Sequence, residues 1–362
     1  MSLSLFRKKS FIGLDLGYNS IKAVQVERTS TGWKLSRVHS IPTPSDSIKD
    51  HVVVDPELVS VAIRTLLRNN KLHATSAVIG VAGGSVIVRN VRIPKMAEAT
   101  LRKSIKFEAG RYVPSSIEDS FIEFEILGDA GENQMDVLIV ASPREIVESR
   151  VRACEMAGLE VEVVDIDAFA MYRALVEADE GADFAESTIA LVDIGATTTN
   201  VSVVSKGVFA MTRSIPQAGH TLTEALKTYF RLSDEDAESG KAQLNLSTLI
   251  DETKVIENPP LRVMQPHVDD LIREIRRSLN YYQSQQTESG TPNPVSHVIV
   301  SGGGSKLTGL QEYFAHKLGM DVARVSVLDN PRFTYAGSEE PGDCLELSVA
   351  SGLAMRAFTK SA

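Results

Sequence analysis

Apolar and polar residues alternate in short runs at the start of the chain, over Ser10 to Leu16, Ile21 to Arg28 and Trp33 to Ile41. This period of two predicts three antiparallel strands joined by tight turns. The same triplet returns from Ile189 to Ile215: "GLDLGYNSIKAVQV" from Gly13 is answered by "LVDIGATTTNVSVV" from Leu191, and "HSIP" at His39 by "RSIP" at Arg213. The chain is therefore internally duplicated.

A helical period follows each triplet. In "DPELVSVAIRTLLRNN", Asp55 is the expected N-cap and Pro56 the first helical residue, with Leu58, Ile63, Leu66 and Leu67 assigned to one side. "HTLTEALKTYF", entered through Gly219, takes the matching place in the second copy. Between the copies the pattern predicts strands at Ser76 to Val81 and Ser85 to Ile93, then a helix from Ala97 to Tyr112. Strands at Phe121 to Leu127 and Met135 to Ala141, a helix from Pro143 to Ala157 and a strand at Val161 to Val164 complete a β-α-β-β-α-β order that resembles a ferredoxin-like unit. Further on, Val268, Leu271, Ile272, Ile275, Leu279 and Tyr282 form the core-facing stripe of a long helix. Glu346 to Phe358 reads as a helix tucked back on the first lobe.

Composition narrows the function classes. At 362 residues and 43% hydrophobic content the chain can bury a large core, most simply in two lobes. A formal charge of -9 without long like-charge runs argues against a nucleic-acid binder. Cys154 and Cys344 stand far apart with no nearby His cluster, so neither a disulfide framework nor a zinc site is indicated. No apolar run reaches the roughly 18 residues of a membrane span, and "MSLSLFRKKSF" lacks a signal-peptide core, so a cytoplasmic location is expected. Leu3, Leu5 and Phe6 beside Arg7, Lys8 and Lys9 read as a solvated terminus, with contact to an anionic membrane as the other reading.

The candidate chemistry lies in the glycines. A turn whose backbone N–H groups face one concavity suits a phosphate, and an Asp before that turn repels phosphate unless a cation such as Mg²⁺ intervenes. Asp15 and Asp193 are the two such residues, and Lys22 on the returning strand can reach a phosphate as a point charge. One Asp-x-Gly alone is equally a plain turn. Its echo in "DIGATTT", with the hydroxyls of Thr197, Thr198 and Thr199, makes a two-sided phosphate clamp the better reading. "VIVSGGGSKLTGL" adds an apolar strand running into Gly302, Gly303 and Gly304 and then a helix, where an α-phosphate or ribose can sit.

These three motifs together resemble the phosphate-1, phosphate-2 and adenosine motifs of the actin-like ATPase superfamily, and the insertion before the second half resembles its FtsA-like branch. The segments "VRIPKMAEATLRKSIKFEAGRYVP", "VEVVDIDAFAMYRAL", "LVDIGATTTNVSVV", "LIREIRRSLNYYQSQ" and "SGGGSKLTGL" are similar, nearly end to end, to the PilM family of type IV pilus assembly proteins. The resemblance implies an actin-like α/β fold with a duplicated β-β-β-α-β-α core and a ferredoxin-like inserted subdomain. The implied division is a first lobe of 1–75, 158–187 and 335–362, an insertion at 76–157, a second lobe of 188–218 and 287–334, and a smaller subdomain at 219–286.

It also implies ATP with Mg²⁺ between the lobes. Asp15, Gly17, Tyr18, Asn19, Ser20 and Lys22 would form the first phosphate loop, and Asp193, Gly195, Ala196, Thr197, Thr198 and Thr199 the second, with Asp15 and Asp193 towards the metal. Gly302, Gly303, Gly304 and Lys306 would flank the adenosine, and Glu238 and Lys241 of "DAESGKAQL" would approach ribose and base; taken alone, that pair is a solvated helix-surface pair. Arg277 is assigned either to the adenine edge or to the surface. The implied partner is the cytoplasmic N-terminal tail of PilN, in a groove lined by Ile93, Pro94, Leu101, Ile105 and Phe107; the other reading is that these residues fill the insertion's own core. Other pilus platform proteins and the pilus motor ATPase are further implied partners, self-association is left open, and the location is peripheral to the inner membrane through partners.

Two departures from the superfamily pattern point to holding nucleotide rather than cutting it. Tyr18 stands where relatives often carry a small hydroxyl residue, and "VVDIDAFAMYRAL" has no Gln or Glu suited to orient an attacking water. Asp165 and Asp167 are nearby, but helix capping is the better reading for at least one of them. The expectation is an ATP-dependent scaffold with slow or absent turnover, against an FtsA-like filament-forming ATPase or a small-molecule kinase on the same fold.

Overall fold

The computed structural model describes residues 10–112, 117–131, 133–178, 187–251, 257–286, 293–337 and 342–359. The basic N-terminal segment, Leu3 to Lys9, lies outside them. The chain begins with β1 (Phe11–Leu16), β2 (Ser20–Arg28), β3 (Trp33–Pro42), the small hairpin β4 (Ile48–Lys49) and β5 (Val52–Val53), α1 (Pro56–Asn69) and β6 (Ser76–Val81). Then come β7 (Ile87–Pro94), α2 (Glu98–Ala109), β8 (Ser120–Gly131), β9 (Gln134–Pro143), α3 (Arg144–Met156), β10 (Glu160–Ile166) and α4 (Asp167–Tyr172). The second half holds β11 (Thr188–Ile194), β12 (Thr199–Ser205), β13 (Val208–Ile215), α5 (Gly219–Phe230), α6 (Asp234–Ala242) and α7 (Pro259–Gln286). It closes with β14 (His297–Ser301), α8 (Leu310–Leu318), β15 (Asp321–Arg324), β16 (Phe333–Tyr335) and α9 (Ser348–Arg356).

Two large sheets carry the duplication, one ordered β10-β6-β1-β2-β3-β16 and the other β15-β14-β11-β12-β13-β7-β9-β8. In each, an antiparallel triplet has a parallel neighbour on its first strand, β6 beside β1 and β14 beside β11. Register matches as well as order. Asp15 faces Lys22 across β1 and β2, and Asp193 faces Asn200 across β11 and β12.

The insertion differs from its expected outline. β6 and β10, read as its first and last strands, lie in the first sheet, where β6 pairs with β1 and β10 pairs with β6. Helix α3 packs on α1, β5 and β10. Only β7, α2, β8 and β9 form the insertion, whose sheet joins the second lobe through β7 at Met211↔Arg89. The physical reason is that parallel pairing is non-local, so an apolar run such as "SAVIGV" fits either sheet on periodicity alone.

Helix α1 starts as its caps require: Asp55 Oδ1 accepts the Leu58 N–H at 3.0 Å and Pro56 is the first helical residue. Val59, Ala62, Ile63 and Leu66 are buried, but Leu58 is exposed. Five residues before Ile63, it points roughly 140° away from it at 3.6 residues per turn. The stripe of α7 is buried with Tyr313 and Phe314 in the second-lobe core. Helix α9 lies against β1 so closely that a Cβ on Gly13 would sit 2.1 Å from the Ala350 carbonyl oxygen. Glycine is needed at that crossing.

Candidate functional site

β1 and β11 both end in an Asp-x-Gly turn, and the two turns open on one cavity of about 570 Å³. Asp15, Gly17, Tyr18, Asn19, Ser20 and Lys22 line it from the first turn, and Asp193, Gly195, Ala196, Thr197 and Thr198 from the second. Gly302, Gly303, Gly304 and Lys306 contribute from the loop after β14, and Glu238 and Lys241 from α6. Residues separated by up to 291 positions thus meet at the carboxyl ends of strands, where open α/β sheets place their ligands.

In the first turn, Lys22 Nζ donates to Asp15 Oδ2 at 2.8 Å and is largely buried. Burial opposes its charge, but Asp15, Asp193 and Glu346 outweigh that cost and raise its pKa. The second turn is bound to α5: Gly219 N–H donates to Gly195 O at 3.2 Å and His220 N–H to Ala196 O at 2.7 Å. The glycine-rich loop packs directly on this turn. Gly302 has φ 91°, and a Cβ there would lie 2.3 Å from Asp193 Oδ1; one on Gly304 would lie 2.9 Å from Gly195 O. Any side chain at either position would push the loop off the turn.

At the far end, Lys241 Nζ donates to Glu238 Oε2 at 2.7 Å and Thr223 Oγ1 at 2.9 Å. Partial burial would raise the Glu238 carboxyl, but the hydrogen bonds from Lys241 and Thr223 hold it below its ordinary value. Lys306 pairs with Asp343 and Glu346 at 3.2 and 2.8 Å.

Three residues assigned from sequence fall elsewhere or change character. Thr199 is fully buried, with Oγ1 donating to Gln217 O at 2.7 Å, and does not line the cavity. Arg277 pairs with Glu274 on α7, also off the cavity wall. Tyr18 lines the cavity, but its hydroxyl is occupied in accepting the His51 N–H at 2.6 Å.

Sequence reading missed Asp167, Arg150 and His51, which all line the cavity. Asp167 is the first residue of α4, after Ile166 at the N-cap position, and makes no cap hydrogen bond; its Oδ1 is buried without a hydrogen-bond partner among the described residues. Burial first, then the charges of Asp15, Asp193 and Asp165, raise its pKa to about 7. Burial and Asp15 push Asp193 up to about 6. Asp165 instead pairs with Arg173 at 2.9 Å. The signal for Asp167 was its place straight after β10, but nothing local distinguishes a cap from a cavity wall.

Among the described residues, no group of three or more His, Cys, Asp or Glu side chains converges closely enough to hold a metal ion. Asp15, Asp167 and Asp193 instead ring the cavity floor and repel one another. This donor set fits a hydrated divalent cation that keeps waters and takes its other ligands from phosphate.

Among the expected partner-binding residues, Ile93, Leu101 and Ile105 are buried in the insertion's own core with Met135, Val137 and Ile139. Alternation in β7 and the helical period of α2 turn all three inward. Pro94 and Phe107 are exposed, Phe107 by 71%, and the Arg111 guanidinium lies 5.5 Å from the Phe107 ring.

Two sheets built on a repeated strand triplet, with Asp-x-Gly turns facing a glycine-rich loop across one cleft, define the fold of the actin-like ATPases. Residues 13–358 match the family Type IV pilus assembly protein PilM, and the chain belongs to that family. It is similar to a solved structure of the PilM-PilN type IV pilus biogenesis complex, with a TM-score of 0.83 and 25% identity over 97% of this chain and 99% of that one. The cell division protein FtsA of Pseudomonas aeruginosa is 25% identical over 347 residues, 84% of this chain and 80% of its own length. FtsA of Bacillus subtilis is 24% identical over 260 residues, 65% of this chain and 58% of FtsA, so the match spans less than two thirds of that relative. No helix among the described residues is long and apolar enough to cross a membrane.

Proposed function

We propose that the cleft binds ATP with Mg²⁺ and that the chain is a nucleotide-dependent scaffold of type IV pilus assembly, taking the cytoplasmic N-terminal tail of a PilN-like protein. The observation that carries the reading is the convergence of both Asp-x-Gly turns and the glycine-rich loop on one cavity. Gly17 to Ser20 and Gly195 to Thr198 offer backbone and hydroxyl donors to a polyphosphate from opposite sides, and Lys22 gives the neighbouring cation. Asp15, Asp167 and Asp193 would face the metal, whose charge relieves their mutual repulsion and neutralises phosphate. Glu238 and Lys241, held together at one end, would take the ribose and base.

Pairing of this chain with a PilN-like tail is supported by the likeness to the PilM-PilN complex across nearly the whole chain. Phe107 and Pro94 are the accessible apolar residues of the proposed groove, with Ile93, Leu101 and Ile105 supporting them from beneath. A tail anchored in the inner membrane would hold the chain there through its partner. ATP would bias partner binding by favouring one arrangement of the lobes. The test is a pull-down from membranes with wild type and Asp193→Ala, each with and without ATP and Mg²⁺. Nucleotide-dependent recovery of a PilN-like protein by wild type alone is expected, and no recovery under any condition would contradict the reading.

A further inference from the structure

The chain passes between first lobe and insertion twice, from β6 to β7 through Ala82 to Val86 and from β9 straight into α3. Both passages converge on one cluster at the cavity wall. Arg150, on α3, is 3% exposed, and its described hydrogen bonds all go to backbone carbonyls: Nε to His51 O at 3.2 Å, Nη1 to Leu16 O at 3.2 Å and to Gly80 O at 3.4 Å. Leu16 immediately precedes Gly17 of the first turn, and Gly80 lies two residues before the first passage begins.

His51 closes the cluster. It and Asp50 both hold left-handed backbone, at φ 67° and 48°, a conformation that non-glycine residues keep only when their surroundings enforce it. Its N–H donates to Tyr18 Oη at 2.6 Å, its ring meets the Tyr18 ring edge-on at 5.4 Å, and its carbonyl accepts from Arg150. The ring fills the space that a Cβ on Gly83, in the first passage, would need: that Cβ would lie 2.4 Å from His51 Cδ2. Beside Arg150, Ser149 Oγ accepts the Val53 N–H at 3.1 Å and fixes α3 to the same hairpin. A change at Tyr18 therefore reaches both passages through packed groups.

We infer that Arg150 and His51 are positioning residues that form a joint, through which occupation of the first phosphate turn sets the orientation of the β7-α2-β8-β9 insertion. The inference rests on the nucleotide reading above and names the route by which that site acts on the proposed partner groove. The buried guanidinium hydrogen-bonds only to carbonyls, and its charge acts on both Tyr18 and Asp167 at the cavity wall, so an anion arriving beside Tyr18 pulls on Leu16, Gly80 and His51 together.

The test uses the full chain and the non-hydrolysed analogue AMPPNP with Mg²⁺, reading affinity by calorimetry and insertion mobility by amide exchange in β7 and β9. Arg150→Lys keeps the charge but loses the planar fork. His51→Gly keeps the left-handed turn and the N–H to Tyr18 but removes the ring, and serves if the buried Arg150 variant does not fold. In wild type, AMPPNP should change exchange in β7 and β9 by at least about fivefold, in the range of ordinary coupling energies. At AMPPNP concentrations that calorimetry shows to saturate each protein, either variant should lose most of that change. Full retention of the change in both variants overturns the joint, as does a wild type that binds AMPPNP with no change in the insertion. A wild type that binds no nucleotide removes the nucleotide reading itself, and the joint with it.

Discussion

Asp15 and Lys22 are register partners across β1 and β2, with Lys22 Nζ 2.8 Å from Asp15 Oδ2, whereas Asp193 in the second copy faces Asn200. The duplication is thus broken in charge. One carboxylate hydrogen-bonds its own cation, and the other has an amide as its cross-strand neighbour.

Lys22→Met should leave the partly buried Asp15 without its partner. Breaking a buried pair from one side costs about 3 kcal/mol. The Asp15→Asn/Lys22→Met double variant should recover most of that loss, because no unpaired charge remains. Urea unfolding of the three variants measures this. Equal stability of the single and double variants would show that the pair carries no such coupling.

The two raised carboxylates fix a pH dependence. With Asp167 at about 7 and Asp193 at about 6, the folded protein holds more protons than the unfolded chain between about pH 4 and about pH 7. Stability of the ligand-free protein therefore gains a component that is fullest below about pH 4 and lost as pH rises to about 7, at up to about 1.4 kcal/mol per pH unit per proton. Asp167→Asn should flatten this slope in urea titrations across the window. A slope identical to that of wild type would contradict the assignment.

On the insertion, exposure separates two neighbouring residues of one helix. Leu101 is fully buried, so Leu101→Ala should destabilise by about 2 to 5 kcal/mol. Phe107→Glu should leave the melting temperature nearly unchanged, because Phe107 is 71% exposed, and should weaken capture of a PilN-like tail at least about tenfold. Unchanged capture by Phe107→Glu would remove α2 from the partner groove.

Turnover should be slow. The described cavity wall carries no Gln, its Glu238 and Glu346 are paired with Lys241 and Lys306, and Asp167 Oδ1 has no hydrogen-bond partner to aim it at a water. Steady-state phosphate release should stay below about one per second, under the ordinary enzyme range. A faster rate that Asp167→Asn abolishes would make this protein an enzyme in its own right.

What was legible in the sequence was what local chemistry dictates. The two Asp-x-Gly turns announce themselves because glycine, carboxylate and alternating strand occur within one short stretch, and the cap of α1 because Asp55 and Pro56 are adjacent. Pairings made at long range were not legible: β6 and β10 were counted as the end strands of the β-α-β-β-α-β unit, although the division at 158–187 put β10 in the first lobe, because their apolar runs carry no label for a parallel neighbour. Arg150 was invisible for the same reason, since its acceptors lie 70, 99 and 134 residues away. Thr199 shows the converse error. It shares a tripeptide with two cavity residues, yet the pleat of β12 turns it inward.

The central claim is that both halves of the duplicated motif grip one nucleotide, and calorimetric titration of AMPPNP into wild type, Lys22→Met and Asp193→Asn tests it most directly. The account predicts saturable one-to-one binding to wild type that requires Mg²⁺ and falls at least about tenfold in each variant. Binding that either variant leaves intact, or no binding by wild type with Mg²⁺ present, would contradict it.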